Sequence, residues 1–255
     1  MNMWRDRFGT PKSFKAELVT FLCAVSALLA ACQPVVQSET LEDSALLRQS
    51  GAVLWHGLPK RAHNYVNMRL DQIEASPVMS GGVMFVGDSI TDGAPLSAMF
   101  PNLKTANHGI AWDTTDGVLL RVAQITRHAP ERIFFLIGTN DTDYTDDHKA
   151  ISRNVLGIVD QVHAALPEVE LYVVSVLPRG GPGNATITSV NEVLRASAVE
   201  HPYVYLDLAN AMRGEDGEMN PALSYDNLHL NVHGYAVWER VLHDCVWNGC
   251  LSGLE

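Results

Sequence analysis

Short apolar, β-branched runs recur along the chain at 82–86, 105–107, 133–137, 171–177 and 203–206. Between them the apolar positions change to helical spacing: Val118, Val122 and Ile125; then Ile151, Val155, Val159, Val162 and Leu166; then Ile187, Val190 and Leu194. A last helix is expected after Asn231, with Tyr235, Trp238, Val241 and Leu242 on its apolar side. Runs of three to seven residues without alternation suit strands buried on both faces, and 3.6-residue spacing suits helices with one buried stripe. Strands alternating with amphipathic helices predict an α/β fold, a parallel five-stranded sheet flanked by helices. The stretch from Ala45 to Ile73 reads as helix and loop and gives no firm assignment.

The N-terminus has a different pattern. Arg5, Arg7, Lys12 and Lys15 precede an uncharged stretch, 18–31, too short to span a bilayer comfortably but suited to the core of a signal peptide. It ends Leu29-Ala30-Ala31-Cys32. That ending resembles the lipobox of bacterial lipoproteins, which implies cleavage after residue 31 and lipidation of Cys32. Acyl chains anchor a protein to a membrane surface without spanning it. Gln33, by the same resemblance, points to the outer membrane of a bacterial cell envelope. The expected organisation is a signal peptide over 1–31, a tether over 32–44 and one domain over 45–255.

Composition narrows the partners. The chain has 255 residues and a net charge of −11, which argues against nucleic acid or anionic phospholipid heads as the main partner. Cys245 and Cys250 remain once Cys23 and Cys32 are assigned to the leader. In an oxidising compartment that pair reads as a disulfide closing a short loop, contributing about 2 kcal/mol. A metal pair is the alternative, and it lacks zinc-site spacing of further ligands.

Parallel sheets bind ligands outside the carboxyl ends of their strands, so chemistry is sought in the residues just after each run. After the first run stand Gly87, Asp88 and Ser89; after the second, Asn107, His108 and Gly109; after the third, Gly138, Thr139, Asn140 and Asp141. Pro178, Arg179 and Gly180 come after the fourth, and Asp226 and His229 lie beyond the fifth. A serine hydroxyl needs a base to become a nucleophile, and His229 is the candidate. Asp226, three residues earlier, can fix the imidazole tautomer and stabilise its charged form. Attack on an ester carbonyl builds negative charge on oxygen, for which the main-chain amides of Ser89 and Gly109 and the side-chain amide of Asn140 are the candidate donors. Glycine at 109 would let the main chain approach a substrate closely.

These four blocks, in this order, resemble those of the SGNH (GDSL-type) hydrolases. The family's serine, glycine, asparagine and histidine fall on Ser89, Gly109, Asn140 and His229. Further residues resemble the branch of platelet-activating-factor acetylhydrolase catalytic subunits and related acetyl esterases: Asn107-x-Gly-Ile, Asp113-Thr114-Thr115, Val176 to Gly180, and Leu228 to Tyr235. The resemblance implies a three-layer flavodoxin-like fold with strand order 2-1-3-4-5. It implies a serine esterase acting on short-chain, acetyl esters, with a small-molecule or glycan ester as substrate and no cofactor or metal. A lysophospholipase or thioesterase with longer acyl preference, and a non-catalytic glycan-binding lipoprotein, are the alternatives. Trp112 stands where this branch usually has a small residue, which leaves the shape of the acyl pocket open.

Other readings carry less. Asp88 and Asp141 are expected to bond backbone amides of their own turns, and Asp113 with Thr114 to cap the following helix. Arg179 is balanced between a solvated loop residue and a substrate clamp. His229 and His233 could form a metal pair at helical spacing, but Asn231 reads as a helix N-cap separating them, and no carboxylate motif completes a site.

Overall fold

The computed structural model describes residues 60–248; the signal-peptide segment, Cys32, the tether and Cys250 lie outside the described residues. The five strands are β1 (Val83–Gly87), β2 (Thr105–Gly109), β3 (Arg132–Leu136), β4 (Glu170–Val174) and β5 (Val204–Leu206). All pairs are parallel and the order is β2-β1-β3-β4-β5, the arrangement expected.

Helices precede and link the strands. Helix α1 (Lys60–Ala75) comes before β1; α2 (Ser89–Asp92) and α3 (Leu96–Met99) follow it. Helices α4 (Thr115–Leu120) and α5 (Val122–Thr126) follow β2; a 3-10 turn (Asn140–Asp143) and α6 (His148–Ala165) follow β3. Helix α7 (Gly183–Ser197) follows β4, and α8 (Leu208–Met212) and α9 (Val232–Asn248) follow β5. Among the described residues no helix is long and apolar enough to cross a membrane.

Strand residues alternate between two cores, because successive side chains point to opposite faces. Met84, Val86, Ile133, Phe135, Leu171 and Val173 pack with α4, α5, α6 and α7 on one face. Val83, Phe85, Phe134, Leu136, Tyr172 and Val174 pack with α2, α3, α8 and α9 on the other. On this second face Phe85, Phe134 and Tyr172 are in register across β1, β3 and β4 and their rings stack, with centroids 5.2 and 4.5 Å apart. Such pairs tie neighbouring strands together beyond the area they bury.

Two expectations change. Strand β2 runs two residues longer than its apolar run, to Gly109, since its register with β1 continues to Gly87. The helix expected over Val118 to Ile125 is broken at Arg121, whose φ of −106° and ψ of 19° leave helical geometry. Its guanidinium turns inward, with Nε 2.9 Å from Asp113 Oδ2 and Nη2 donating to His108 O. Cys245, on α9, is buried in the core.

Candidate active site

Ser89 is the first residue of α2, where β1 ends against the sheet rim. Gly87 permits that turn: a Cβ there would lie 2.2 Å from Leu136 O and 2.3 Å from Thr91 Oγ1. Asp88 accepts from the Ile90 amide at 2.9 Å, the local cap expected of it. Its burial pushes the carboxyl from 3.8 up to about 7.

Across the rim, Ser89 Oγ lies 2.9 Å from His229 Nε2. His229 Nδ1 lies 2.7 Å from Asp226 Oδ2. Asp226 Oδ1 accepts from the backbone amides of Leu228 and His229, so the loop shapes itself around this carboxylate. Partial burial raises the Asp226 carboxyl, but the hydrogen bonds from His229 and Leu228 outweigh it and leave it below its ordinary value. Both ring nitrogens of His229 are thus engaged, and Asn231 accepts from the amides of His233 and Gly234 as the cap of α9. Tyr225 stacks on the His229 ring at 5.8 Å. A hydroxyl, an imidazole and a carboxylate in this line can pass a proton from oxygen to nitrogen.

One of the amides expected as a donor is already engaged in the structure. The Gly109 amide donates to Asn107 Oδ1 at 2.9 Å and is therefore not available to a substrate. Glycine is required there for another reason: a Cβ would lie 2.2 Å from Asp92 N and 2.6 Å from Thr91 C, in the backbone of α2. In the loop after β2, the Ile110 amide donates to Gly87 O, that of Ala111 to Asp92 Oδ2 and that of Asp113 to Ile110 O. Trp112 is left as the loop residue whose amide has no partner among the described residues. Its φ is 67°, a left-handed conformation costing a non-glycine residue roughly 1–2 kcal/mol. The Trp112 indole, 40 % exposed, meets the Tyr65 ring edge-on at 5.9 Å.

Asn140 is where it was expected, at the start of the turn after β3. Its Nδ2 donates to Asp113 O at 2.8 Å, which leaves one hydrogen of that amide free. Asp141 also reaches beyond its own turn: it accepts from the amide and, at 2.5 Å, the hydroxyl of Thr115 at the start of α4. Burial raises its carboxyl to about 6. Thr114 caps α4 with its Oγ1, which accepts from the Gly117 amide, while Asp113, buried against Arg121, accepts from the Thr114 amide. Arg179 is mostly buried and bonded within the protein through one of its guanidinium nitrogens. Its Nη1 is held by Thr139 O, Thr142 Oγ1 and Asp143 Oδ1, bracing the Asn140 turn.

Sequence reasoning missed the contribution of α1. Tyr65 and Arg69 bond to Asp92 at the end of α2, and the helical spacing of Val66, Leu70 and Ile73 marks a buried face without saying which loop it packs on.

Residues 85–237 match the model of the GDSL-like Lipase/Acylhydrolase family. The chain belongs to this family. As a member of it, the protein is an ester hydrolase. Platelet-activating factor acetylhydrolase IB subunit alpha1 of Homo sapiens is 30 % identical over 171 residues, covering 63 % of this chain and 73 % of its own. A GDSL-like lipase from Bacteroides thetaiotaomicron shares the fold with a TM-score of 0.60 at 23 % identity, over 74 % of this chain and 98 % of that one. An acetylxylan esterase from Geobacillus stearothermophilus aligns with a TM-score of 0.52 at 19 % identity, over 66 % and 96 % of the two chains. The GDSL motif of the family name stands here as Gly87-Asp88-Ser89-Ile90.

Proposed function

We propose that this GDSL hydrolase is a serine esterase working through an acyl-enzyme on Ser89, with short acyl groups, acetyl first, as its substrates. The observation that supports the mechanism is the 2.9 Å approach of Ser89 Oγ to His229 Nε2. The hydroxyl oxygen attacks the ester carbonyl while His229 takes its proton, and Asp226 stabilises the imidazolium. The developing oxyanion is met by the Ser89 and Trp112 main-chain amides and the free hydrogen of the Asn140 side chain. His229 returns the proton to the departing alcohol, and water then cleaves the acyl-enzyme by the reverse sequence. The acetyl choice rests on the acetylhydrolase relatives. An acetylated glycan is the proposed natural ester, and lipidation of Cys32 in a bacterial envelope the proposed location.

An organophosphate probe with mass analysis tests the nucleophile: an adduct on Ser89, absent in Ser89→Ala, is expected. Failure to label would favour a glycan-binding protein without chemistry. A p-nitrophenyl ester series from acetate to palmitate tests the acyl group. Preference for the long chains would replace acetyl with a lysophospholipase or thioesterase reading. Labelled palmitate should enter the wild type in bacteria and not Cys32→Ser.

A further inference from the structure

Helix α1 precedes the region that matches the family model, yet it bonds directly to the elements carrying the proposed oxyanion donors. Val66, Leu70 and Ile73 form an apolar cluster with Ile110, which seats the helix on the loop after β2. From that seat Arg69 Nη2 donates to Gly109 O at 2.9 Å and to Asn107 O at 3.2 Å. Strand β2 is an edge of the sheet, so these carbonyls can take a side-chain donor in place of a strand partner. Arg69 Nε also lies 3.1 Å from Asp92 Oδ1. Tyr65 donates its hydroxyl to the other oxygen, Asp92 Oδ2, at 2.5 Å. Burial and the adjoining Asp92 raise the Tyr65 phenol to about 12, so it remains a donor across the working range of an enzyme.

Asp92 is the hinge of the arrangement. It ends α2, three residues from Ser89, where the carbonyl end of a helix disfavours a negative charge. With its side chain only 11 % exposed, it depends on Arg69 and Tyr65 for compensation. Oδ2 also accepts from the Ala111 amide at 3.3 Å, immediately before the strained Trp112. With the Gly109 carbonyl and the Ala111 amide fixed ahead of it and the Asp113 amide bonded to Ile110 O after it, the peptide that carries the Trp112 N–H is restricted in rotation. A left-handed tryptophan persists only where its surroundings over-determine it.

We propose that Arg69 and Tyr65 are positioning residues that, through Asp92 and Gly109, hold the Trp112 amide in its oxyanion-binding orientation. The inference rests on the serine-esterase reading above. A positioning role lowers the barrier for chemistry more than it alters ester binding, so it separates kcat from KM.

The test uses the full chain with p-nitrophenyl acetate and a trifluoromethyl ketone, which forms a tetrahedral adduct with an active serine. Tyr65→Phe removes one hydroxyl and keeps the ring beside Trp112; Arg69→Met removes the charge, and Arg69→Lys keeps the charge with fewer of the hydrogen bonds. We expect kcat to fall roughly ten- to hundredfold in Tyr65→Phe and Arg69→Met with KM within about twofold. Ketone affinity should fall in step, and Arg69→Lys should recover part of both. Unchanged kcat, or a rise in KM alone, overturns the proposal. Hydrogen exchange over residues 107–113 gives a readout independent of turnover: faster exchange in Tyr65→Phe is expected, and wild-type exchange in both variants refutes the clamp. A wild type that neither turns over esters nor labels at Ser89 defeats the esterase reading instead, leaving the exchange result to decide the clamp.

Discussion

The Asn140 side-chain amide donates to the carbonyl oxygen of Asp113 at 2.8 Å, tying the turn after β3 to the loop after β2. Those two segments carry two of the three proposed oxyanion donors. Behind the contact, Asp113 is held by Arg121 and the Asn140 turn by Arg179. Donors fixed before the substrate arrives need no reorganisation as charge develops, which is where such sites gain most of their rate.

Asn140→Ala removes one donor and this tie together. kcat should fall about 10²- to 10³-fold, the usual effect of losing one oxyanion donor. Steady-state kinetics on p-nitrophenyl acetate measures it, and a loss below about threefold would remove Asn140 from the donor set.

Asp226→Asn keeps an oxygen to accept from the amides of Leu228 and His229, so the loop should retain its shape. It removes the carboxylate that orients Nδ1, and by analogy with other serine hydrolases kcat should drop on the order of 10⁴-fold. Thermal melting close to wild type together with this loss separates the electrostatic role from a folding role.

Gly109→Ala tests why glycine stands at 109. The new Cβ would meet backbone atoms of Asp92, which cannot swing aside as a flexible side chain could. A destabilisation of about 3 kcal/mol or more is expected, a fall of roughly 10 °C in Tm. A variant as stable as wild type would show that α2 and β2 are not in this close approach.

Asp88 couples stability to pH. Burial raises its carboxyl from 3.8 to about 7, so between those values the folded protein holds a proton that the unfolded chain releases. The resulting stabilisation is complete below pH 3.8 and is lost as pH rises through 7. Asp88→Asn preserves the acceptor for Ile90 and removes the titration. Melting curves from pH 4 to 8 should therefore decline less steeply in the variant; parallel curves would contradict a buried, protonated Asp88.

Much of the site was legible because its parts are local. Asp226 and His229 share one short loop, and Ser89 comes directly after a continuous apolar run, so position after a strand sufficed to place them. Their meeting at 2.9 Å arises from a parallel sheet, which brings the carboxyl ends of distant strands to one rim. Gly109 and Asp141 were read too locally and Arg179 was left undecided for a shared reason. The contacts that bear on them, of Gly109 with Asp92, of Arg179 with the Asn140 turn and of Asp141 with Thr115, are set by packing between segments. A glycine needed against a helix backbone looks the same in sequence as one needed against a substrate.

The order of apolar runs and helical spacings determined the α/β class and the residues at the strand ends, because periodicity and burial are properties of short stretches. Which amide is left free in the loop after β2 was decided by tertiary contacts acting with local ones. Asn107, Gly87, Asp92 and Ile110 each occupy a donor of the segment from 109 to 113 and leave Trp112 over. Gly87 and Asp92 reach that segment only because β1 and α2 pack beside it, and packing across many residues of separation is not encoded in local pattern.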